Sequence, residues 1–109
     1  MTTLAGSGSV GLTDATGTAA KFNKPSDVAI TPDGTTALVA DHLNHKIRSI
    51  VIATGVVTTL AGSGPHSYTD GTGTAASFNY PIRLAITPDG TTALVADGFS
   101  RIRAIAFDP

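Results

Sequence analysis

Two histidines, His42 and His45, come nearest in this sequence to the type and spacing of a metal site. Imidazole nitrogens ligate zinc and copper, but such a site needs further His, Cys or acidic ligands. The chain has no Cys and no Glu, and His66 stands alone in another segment. We therefore expect His42 and His45 to be hydrogen-bonded loop residues, and we predict no bound metal.

The segment 6–11 reads Gly-Ser-Gly-Ser-Val-Gly, which matches the glycine pattern of dinucleotide-binding loops. That pattern binds a pyrophosphate only where a strand precedes it and a helix follows it. Residues 13–18 are unsuited to a helix, and the corresponding segment 62–67 lacks the third glycine. We expect a flexible loop here and no cofactor.

Four aspartates could be considered for acid–base chemistry. Asp41 and Asp97 each end an apolar run, and Asp14 and Asp70 each precede a Gly-rich stretch. A catalytic pair must share one cleft at a separation of about 5–9 Å, but Asp41 and Asp97 fall in separate halves of the chain. We predict that Asp14 and Asp70 form Asx turns, and that Asp41 and Asp97 are structural. No Ser, His and Asp set suggests a nucleophile, so we predict no enzyme.

Composition narrows the fold class and the partners. Charged residues make up 14% of the 109 residues, hydrophobic residues 41%, and the net charge is −1. This balance gives little electrostatic drive toward nucleic acid. No apolar run approaches ~18 residues, and the first residues lack signal-peptide features, so we predict no membrane span and leave localisation open. Abundant Thr and Gly favour strands over helices, and we predict an all-β protein.

An internal repeat organises the elements that must position these residues. The segment 3–8 returns as 59–64, and 29–41 matches 85–97 without a mismatch. Roughly three quarters of the pairs between 3–41 and 59–97 are identical, which is far beyond chance. The chain is therefore two copies of one unit, about 1–54 and 55–109.

Each copy predicts short strands separated by turns. The Pro-Asp-Gly sequences at 32–34 and 88–90 favour tight turns, because Pro presets φ and Gly adopts positive φ. The long segment 62–81 reads as a loop with one apolar anchor, Phe78. The predicted strands are 27–31, 37–40, 46–52 and 56–61 in the first copy, with 83–87, 93–96 and 101–107 in the second.

The repeat closely resembles an NHL-repeat blade. The residues that carry the resemblance are Pro25, Val28-Ala29-Ile30, Pro32-Asp33-Gly34, Leu38-Val39-Ala40-Asp41 and Asn44-His45-Lys46-Ile47-Arg48. The second copy keeps this pattern except for Ser100-Arg101 in place of Asn-His. The resemblance implies a β-propeller, most often of six blades, with two four-stranded blades in this chain. It also implies relatives that bind partners on a rim, bind RNA, or act as metal-dependent lyases or hydrolases.

Aligning the two copies predicts how the chain would associate. Met1 corresponds to a position inside the fourth strand, and Pro109 to the turn after the third. We therefore expect two unpaired edges that join head to tail between copies. Three copies would complete six blades, so we predict a homotrimer, with a tetramer of eight blades as the second possibility. A natural short protein, an excised segment and an engineered chain all remain open. The predicted interface residues are Thr2, Thr3, Leu4, Ala5, Arg101, Ile102, Arg103, Ile105 and Phe107, and the predicted apolar blade-face residues are Leu38, Val39, Leu94 and Val95.

Two further surfaces are predicted from the strand layout. Asp27 and Arg83 begin the innermost strands, so they would alternate around the mouth of a central channel. Exposed ion pairs contribute about 0–1 kcal/mol, which favours a register role over a ligand site. The alternative function is a binding module that holds a peptide, a glycan or, less favoured by charge, RNA on its rim loops. The candidate rim contacts are Tyr68, Tyr80, His42 and His45.

Overall fold

The computed structural model describes residues 1–64, 71–98 and 101–107, and Tyr68, His66 and Asp70 lie outside them. The described chain is all-β, with two antiparallel sheets ordered β1-β2-β3-β4 and β5-β6-β7. This arrangement confirms the predicted fold class and is consistent with two β-propeller blades, here called blade 1 and blade 2. The strands are β1 Pro25–Ile30, β2 Thr36–Asp41, β3 Lys46–Val51, β4 Val56–Ala61, β5 Pro81–Ile86, β6 Thr92–Asp97 and β7 Arg101–Ala106.

The turn between β1 and β2 is built by one carboxylate. Asp33 Oδ1 accepts hydrogen bonds from Thr31 Oγ1 at 2.7 Å, from Thr35 N at 3.0 Å and from Thr35 Oγ1 at 2.8 Å. Gly34 supplies the positive φ of 76° that the turn requires. The hydroxyl of Thr31, then the amide and hydroxyl of Thr35, lower the pKa of Asp33. Asp89 repeats this turn in blade 2.

Two apolar clusters form the core of the blade pair. The first forms the seam between them, where Leu38, Ala40, Ile47 and Ala61 of blade 1 meet Phe78, Leu84, Ala93 and Val95 of blade 2. The second covers the opposite face of blade 1, where Ala20, Ala37, Val39, Ile50 and Val57 pack together with help from Ala5, Ala15 and Phe22. Blade 1 therefore has buried apolar residues on both faces, although Val28 and Ile30 stay exposed. Phe78 is the apolar anchor that the sequence predicts.

The Gly-rich segment 6–24 is more ordered than the sequence predicts. Isolated bridges join Val10 to Phe22, Thr13 to Lys21, and Thr16 to Val56. Short 3₁₀ helices span Gly17–Ala19, His42–Asn44 and Gly73–Ala75. Within the described ranges, no helix is long and apolar enough to cross a membrane.

Candidate functional site: blade faces, β7 edge and seam

A buried arginine joins the Gly-rich segment to the sheet of blade 1. Arg48 NH1 donates to Asp41 Oδ2 at 2.8 Å and to the carbonyl of Lys21 at 2.9 Å. Its NH2 donates to the carbonyl of Thr13 at 2.9 Å and to Asp14 Oδ1 at 2.8 Å. The guanidinium is fully buried, so these contacts replace its hydration and fix the segment on the sheet.

The aspartates have two different roles. Asp41 Oδ1 accepts the amide of Asn23 at 2.8 Å, and Asp97 Oδ1 accepts that of Asn79 at 2.8 Å, which confirms their structural role. The Asx-turn prediction for Asp14 is wrong, because its carboxylate pairs with Arg48 and also accepts the amide of Thr59 at 3.2 Å. The partners are distant in sequence, so local turn chemistry could not reveal them.

Lys46 lies beside this network on β3. Its Nζ is 3.3 Å from the carbonyl oxygen of Gly64, to which it donates. Burial lowers the pKa of its ammonium, the charge of Arg48 lowers it further, and Asp41 acts in the opposite direction. Across the described residues, no group of three or more His, Cys, Asp or Glu side chains is placed to hold a metal ion.

Three of the four candidate rim residues meet at the seam. His42 Nδ1 donates to the carbonyl of Pro81 at 3.1 Å. The amide of Tyr80 donates to His45 Nδ1 at 3.1 Å. The Tyr80 ring lies with its centroid 4.4 Å from that of His45, edge to face, and 5.4 Å from that of His42. These residues therefore join the two blades, while Tyr68 lies outside the described residues.

Side chains at the start of β1 bind backbone groups of β5, and these bonds link the two innermost strands. Asp27 Oδ2 accepts the amide of Leu84 at 2.9 Å, and its Oδ1 accepts the amide of Val28 at 2.9 Å. Ser26 Oγ donates to the carbonyl of Ile82 at 2.6 Å. Asp27 thus bridges β1 and β5, and Arg83 is exposed on β5. The alternation of Asp27 and Arg83 around a channel stays a prediction.

Equivalent residues of the two blades differ sharply in exposure. Leu38 is 1% exposed and Leu94 43% exposed; Ile47 is 0% exposed and Ile102 74% exposed. On the other side of the seam, Leu84 is 8% exposed, whereas its counterpart Val28 is 58% exposed. We call Leu94 and Ile102 the open face of blade 2, and Val28 with Ile30 the open face of blade 1. The predicted face residues Val39 and Val95 are buried within their clusters.

The outer edge of β7 borders a groove of about 880 Å³, lined on its other side by residues around the Gly73–Ala75 helix and by Phe78. In blade 1 the corresponding position beside β3 is occupied by β4, which pairs Thr59 with Arg48 and Val57 with Ile50. Among the described residues no strand pairs with this edge of β7.

The predicted interface residues of β7 line this groove, and the N-terminal ones do not. Arg103 is buried and donates to Asp97 Oδ2 at 2.7 Å, while Ile105 and Phe107 pack against the seam cluster. Ile102 points outward, and Arg101 is exposed at the start of β7. Thr2, Thr3, Leu4 and Ala5 lie outside any strand, and all but Ala5 are exposed.

The segment around Ala5 is held as the end of β4 is held. The amide of Gly6 donates to the carbonyl of Gly17 at 3.2 Å, and the equivalent amide of Gly62 donates to that of Gly73 at 3.4 Å. Ala5 packs against the second cluster, as Ala61 packs in the seam. The N-terminal segment therefore already occupies the position that β4 has relative to the following blade.

Comparison with known proteins places the fold but shows no family. No family model matches the chain. It is 35% identical over 92 residues to Protein SUPPRESSOR OF QUENCHING 1, chloroplastic, of Arabidopsis thaliana, covering 84% of this chain and 9% of that protein. A Bacteroides thetaiotaomicron protein of unknown function superposes with a TM-score of 0.81 at 25% identity, covering 94% of this chain and 26% of that one. An auxiliary nutrient binding protein from the same species gives a TM-score of 0.75 at 26% identity, covering 86% and 25%.

Proposed function

We propose that this chain is a non-enzymatic, self-assembling propeller module made of two NHL-like blades. The open face of blade 2 packs on the open face of blade 1 in the next copy. The N-terminal segment of that next copy adds the fourth strand to β7. Self-association of this kind is heterologous, and it forms a ring when the rotation between copies closes.

The observation that carries this proposal is the exposure of equivalent residues. The seam within the chain buries Leu38 and Ile47 against Leu84, and the same strand positions carry Leu94, Ile102 and Val28 on the open faces. Clustered apolar residues exposed on a small protein mark interaction surfaces. The two open faces carry the same strand positions as the two halves of the seam inside the chain. Each open face therefore fits the other open face of a second copy.

The β7 groove supports the same arrangement. Residues 3–5 and 59–61 both read Thr-Leu-Ala, and β4 uses its copy to pair with β3. Applied to β7, that register places Ala5 of the next copy opposite Ile102, and Thr3 opposite Arg103. A strand added there satisfies the outer edge of β7, which otherwise is a template for aggregation.

Ring size follows from the number of blades. Three copies supply six blades and a mass of about 33 kDa, three times 11.0 kDa; four copies supply eight blades and about 44 kDa. The six-bladed trimer is the proposed state, with the tetramer as the alternative.

Light scattering on the wild type, on Ile102→Asp and on Val28→Asp tests the proposal. Each substitution buries a charge in one half of the interface, so each variant should stay at the mass of one chain, while the wild type shows about 33 kDa. An equimolar mixture of the two variants retains one intact pair of faces. It should therefore form a dimer of about 22 kDa, twice 11.0 kDa, and nothing larger.

Leu43→Asp is the matched control, because Leu43 is an exposed apolar residue on the 3₁₀ helix His42–Asn44 and lies on neither sheet face. It should assemble like the wild type. A wild type that remains at 11.0 kDa at all concentrations contradicts the proposal. A mixture that fails to form dimers contradicts the head-to-tail geometry.

Binding of a small ligand or a peptide on the rim is the second candidate function. It is favoured by the similarity to an auxiliary nutrient binding protein and by the His42, His45 and Tyr80 cluster at the seam. A chain that stays monomeric, and whose Tm rises with a glycan or peptide, would favour this candidate over self-assembly.

A further inference from the structure

The two copies differ most, within the described residues, where the blades meet. Near the start of the innermost strands, Lys24, Ser26, Asp27 and Val28 of blade 1 correspond to Tyr80, Ile82, Arg83 and Leu84 of blade 2. From there 29–41 and 85–97 are identical. Residues 29–41 are thus shared with 85–97, and the unshared residues at the start of the innermost strands lie at the seam.

These unshared residues make the polar contacts of the seam. Ser26 Oγ donates to the carbonyl of Ile82 at 2.6 Å, and Asp27 Oδ2 accepts the amide of Leu84 at 2.9 Å. Both bonds use a blade 1 side chain and a blade 2 backbone group. They require a hydroxyl and a carboxylate at positions where blade 2 carries the sec-butyl side chain of Ile82 and the guanidinium of Arg83.

The rim adds contacts that blade 2 cannot reproduce. His42 and His45 bond the backbone of Pro81 and Tyr80, and both rings lie against the Tyr80 ring. Blade 2 carries Gly98 at the position of His42, and its loop is one residue shorter. Blade 1 in turn carries Lys24 where blade 2 has Tyr80.

We infer that Ser26 and Asp27 form a clasp that specifies a blade 2 surface as the neighbour of blade 1, and that Ile82 and Arg83 make the seam between copies a chemically different, weaker contact. The first part concerns the seam inside one chain. The second part rests on the proposed self-assembly.

The backbone of blade 1 supports the difference between the two seams. At a seam between copies, Arg83 would take the place of Asp27 and face the amide of Val28 in the next copy. That amide already donates to Asp27 Oδ1 of its own chain at 2.9 Å, so it needs no carboxylate from a neighbour. Ile82 has no hydroxyl to donate. Contact between copies then relies on the open apolar faces and the added strand.

Thermal unfolding of exchanged pairs tests the clasp. In the monomeric Ile102→Asp background, Ser26→Ile with Asp27→Arg removes two hydrogen bonds and should lower Tm by about 5–10 °C. The matched control in the same background is Ile82→Ser with Arg83→Ala, which changes the equivalent side chains of blade 2 and leaves the Leu84 amide to Asp27; it should shift Tm by less than about 2 °C. Equal losses in both pairs would overturn the clasp.

Asp27→Asn separates hydrogen bonding from packing. Asp27 uses one oxygen for the amide of Val28 and the other for that of Leu84, and asparagine replaces one of these acceptors with an NH2 group that cannot accept. Its Tm should therefore fall between those of the background and the exchanged pair. A Tm equal to that of the background would assign the loss in the exchanged pair to the introduced isoleucine and arginine and would overturn the clasp.

Sedimentation of Ile82→Ser in the otherwise wild-type chain tests the seam between copies. This change gives blade 2 the hydroxyl that Ser26 supplies at the seam inside the chain, and association should tighten by about tenfold. Unchanged or weaker association overturns the second part. If the wild type does not associate at all, the proposed function and the second part fail together, while the melts of the monomeric variants still decide the first part.

Discussion

Arg48 binds four groups from two parts of blade 1, and its side chain has no exposed surface. Its partners are the Asp41 carboxylate at the end of β2, two carbonyls of the Gly-rich segment, and Asp14. The segment itself has few apolar side chains. Its position therefore depends on this one cation as well as on Ala15, Ala20 and Phe22, which pack in the second cluster.

The sequence shows only part of this network. The structural role of Asp41 could be predicted from its position at a strand end. The pairing of Arg48 with Asp14 could not, because it spans 34 positions and an arginine on an alternating strand usually points to solvent. The repeat contains one usable signal, since Arg48 and Arg103, like Asp14 and Asp70, are retained in both copies.

Arg48→Met should destabilise the chain by about 3–5 kcal/mol, because it leaves the buried Asp41 carboxylate without its charged partner. Denaturant unfolding of the monomeric Ile102→Asp background measures the loss. Asp14→Asn is the control at the other end of the network. The Asp14 side chain is 45% exposed, so its replacement should cost about 1 kcal/mol or less. Equal losses for both variants would contradict a dominant role for the buried pair.

At the scale of elements, strand positions were predictable to within about two residues. The Pro-Asp-Gly turns fix where β1 and β5 end, and the apolar runs fix β2 and β6. The segment 6–24 was not predictable, because its bridges join backbone groups of Gly- and Thr-rich sequence to residues brought near by the fold. The sequence predicted His42, His45 and Tyr80 as rim contacts. Their location at the seam follows only from how the two blades pack.

The β7 edge should accept a strand in trans. A peptide with the sequence of residues 55–62 contains β4, which fills the equivalent position beside β3. Added to the monomeric Val28→Asp variant, it should shift the NMR amide signals of β7 and of Phe78, which line the groove. The amides of Val57 and Thr59 donate away from β3, to Ala15 and Asp14, so the alternation of a strand directs the Thr58 amide toward β3. Proline at the position of Thr58 removes this strand donor and blocks regular pairing.

The proline peptide should therefore bind at least about tenfold more weakly, which corresponds to about 1.4 kcal/mol. Similar shifts from both peptides would show contact without strand pairing. No shift from either peptide would show that the groove does not accept a fourth strand.

At the scale of the whole molecule, the repeat bears on how a chain this short buries its apolar surface. A chain of 109 residues buries a limited share of its surface alone, and both ends of this blade pair expose apolar residues. The chain also spans about a quarter of the solved structures it resembles. The sequence predicted these exposed apolar faces through the repeat. It could not predict the polar clasp, because Ser26 and Asp27 look like ordinary strand-start residues until a second blade lies beside them.

Stability should consequently depend on protein concentration. Assembly that binds only the folded chain raises its apparent stability by mass action, so the wild-type Tm should rise steadily over a hundredfold increase in concentration. Ile102→Asp removes the open face of blade 2 and should give a Tm that does not change with concentration, whereas Leu43→Asp should follow the wild type. Scanning calorimetry at several concentrations measures all three. A wild-type Tm as constant as that of Ile102→Asp would mean that the open faces contribute nothing to folding, and that the blade pair is stable without further copies.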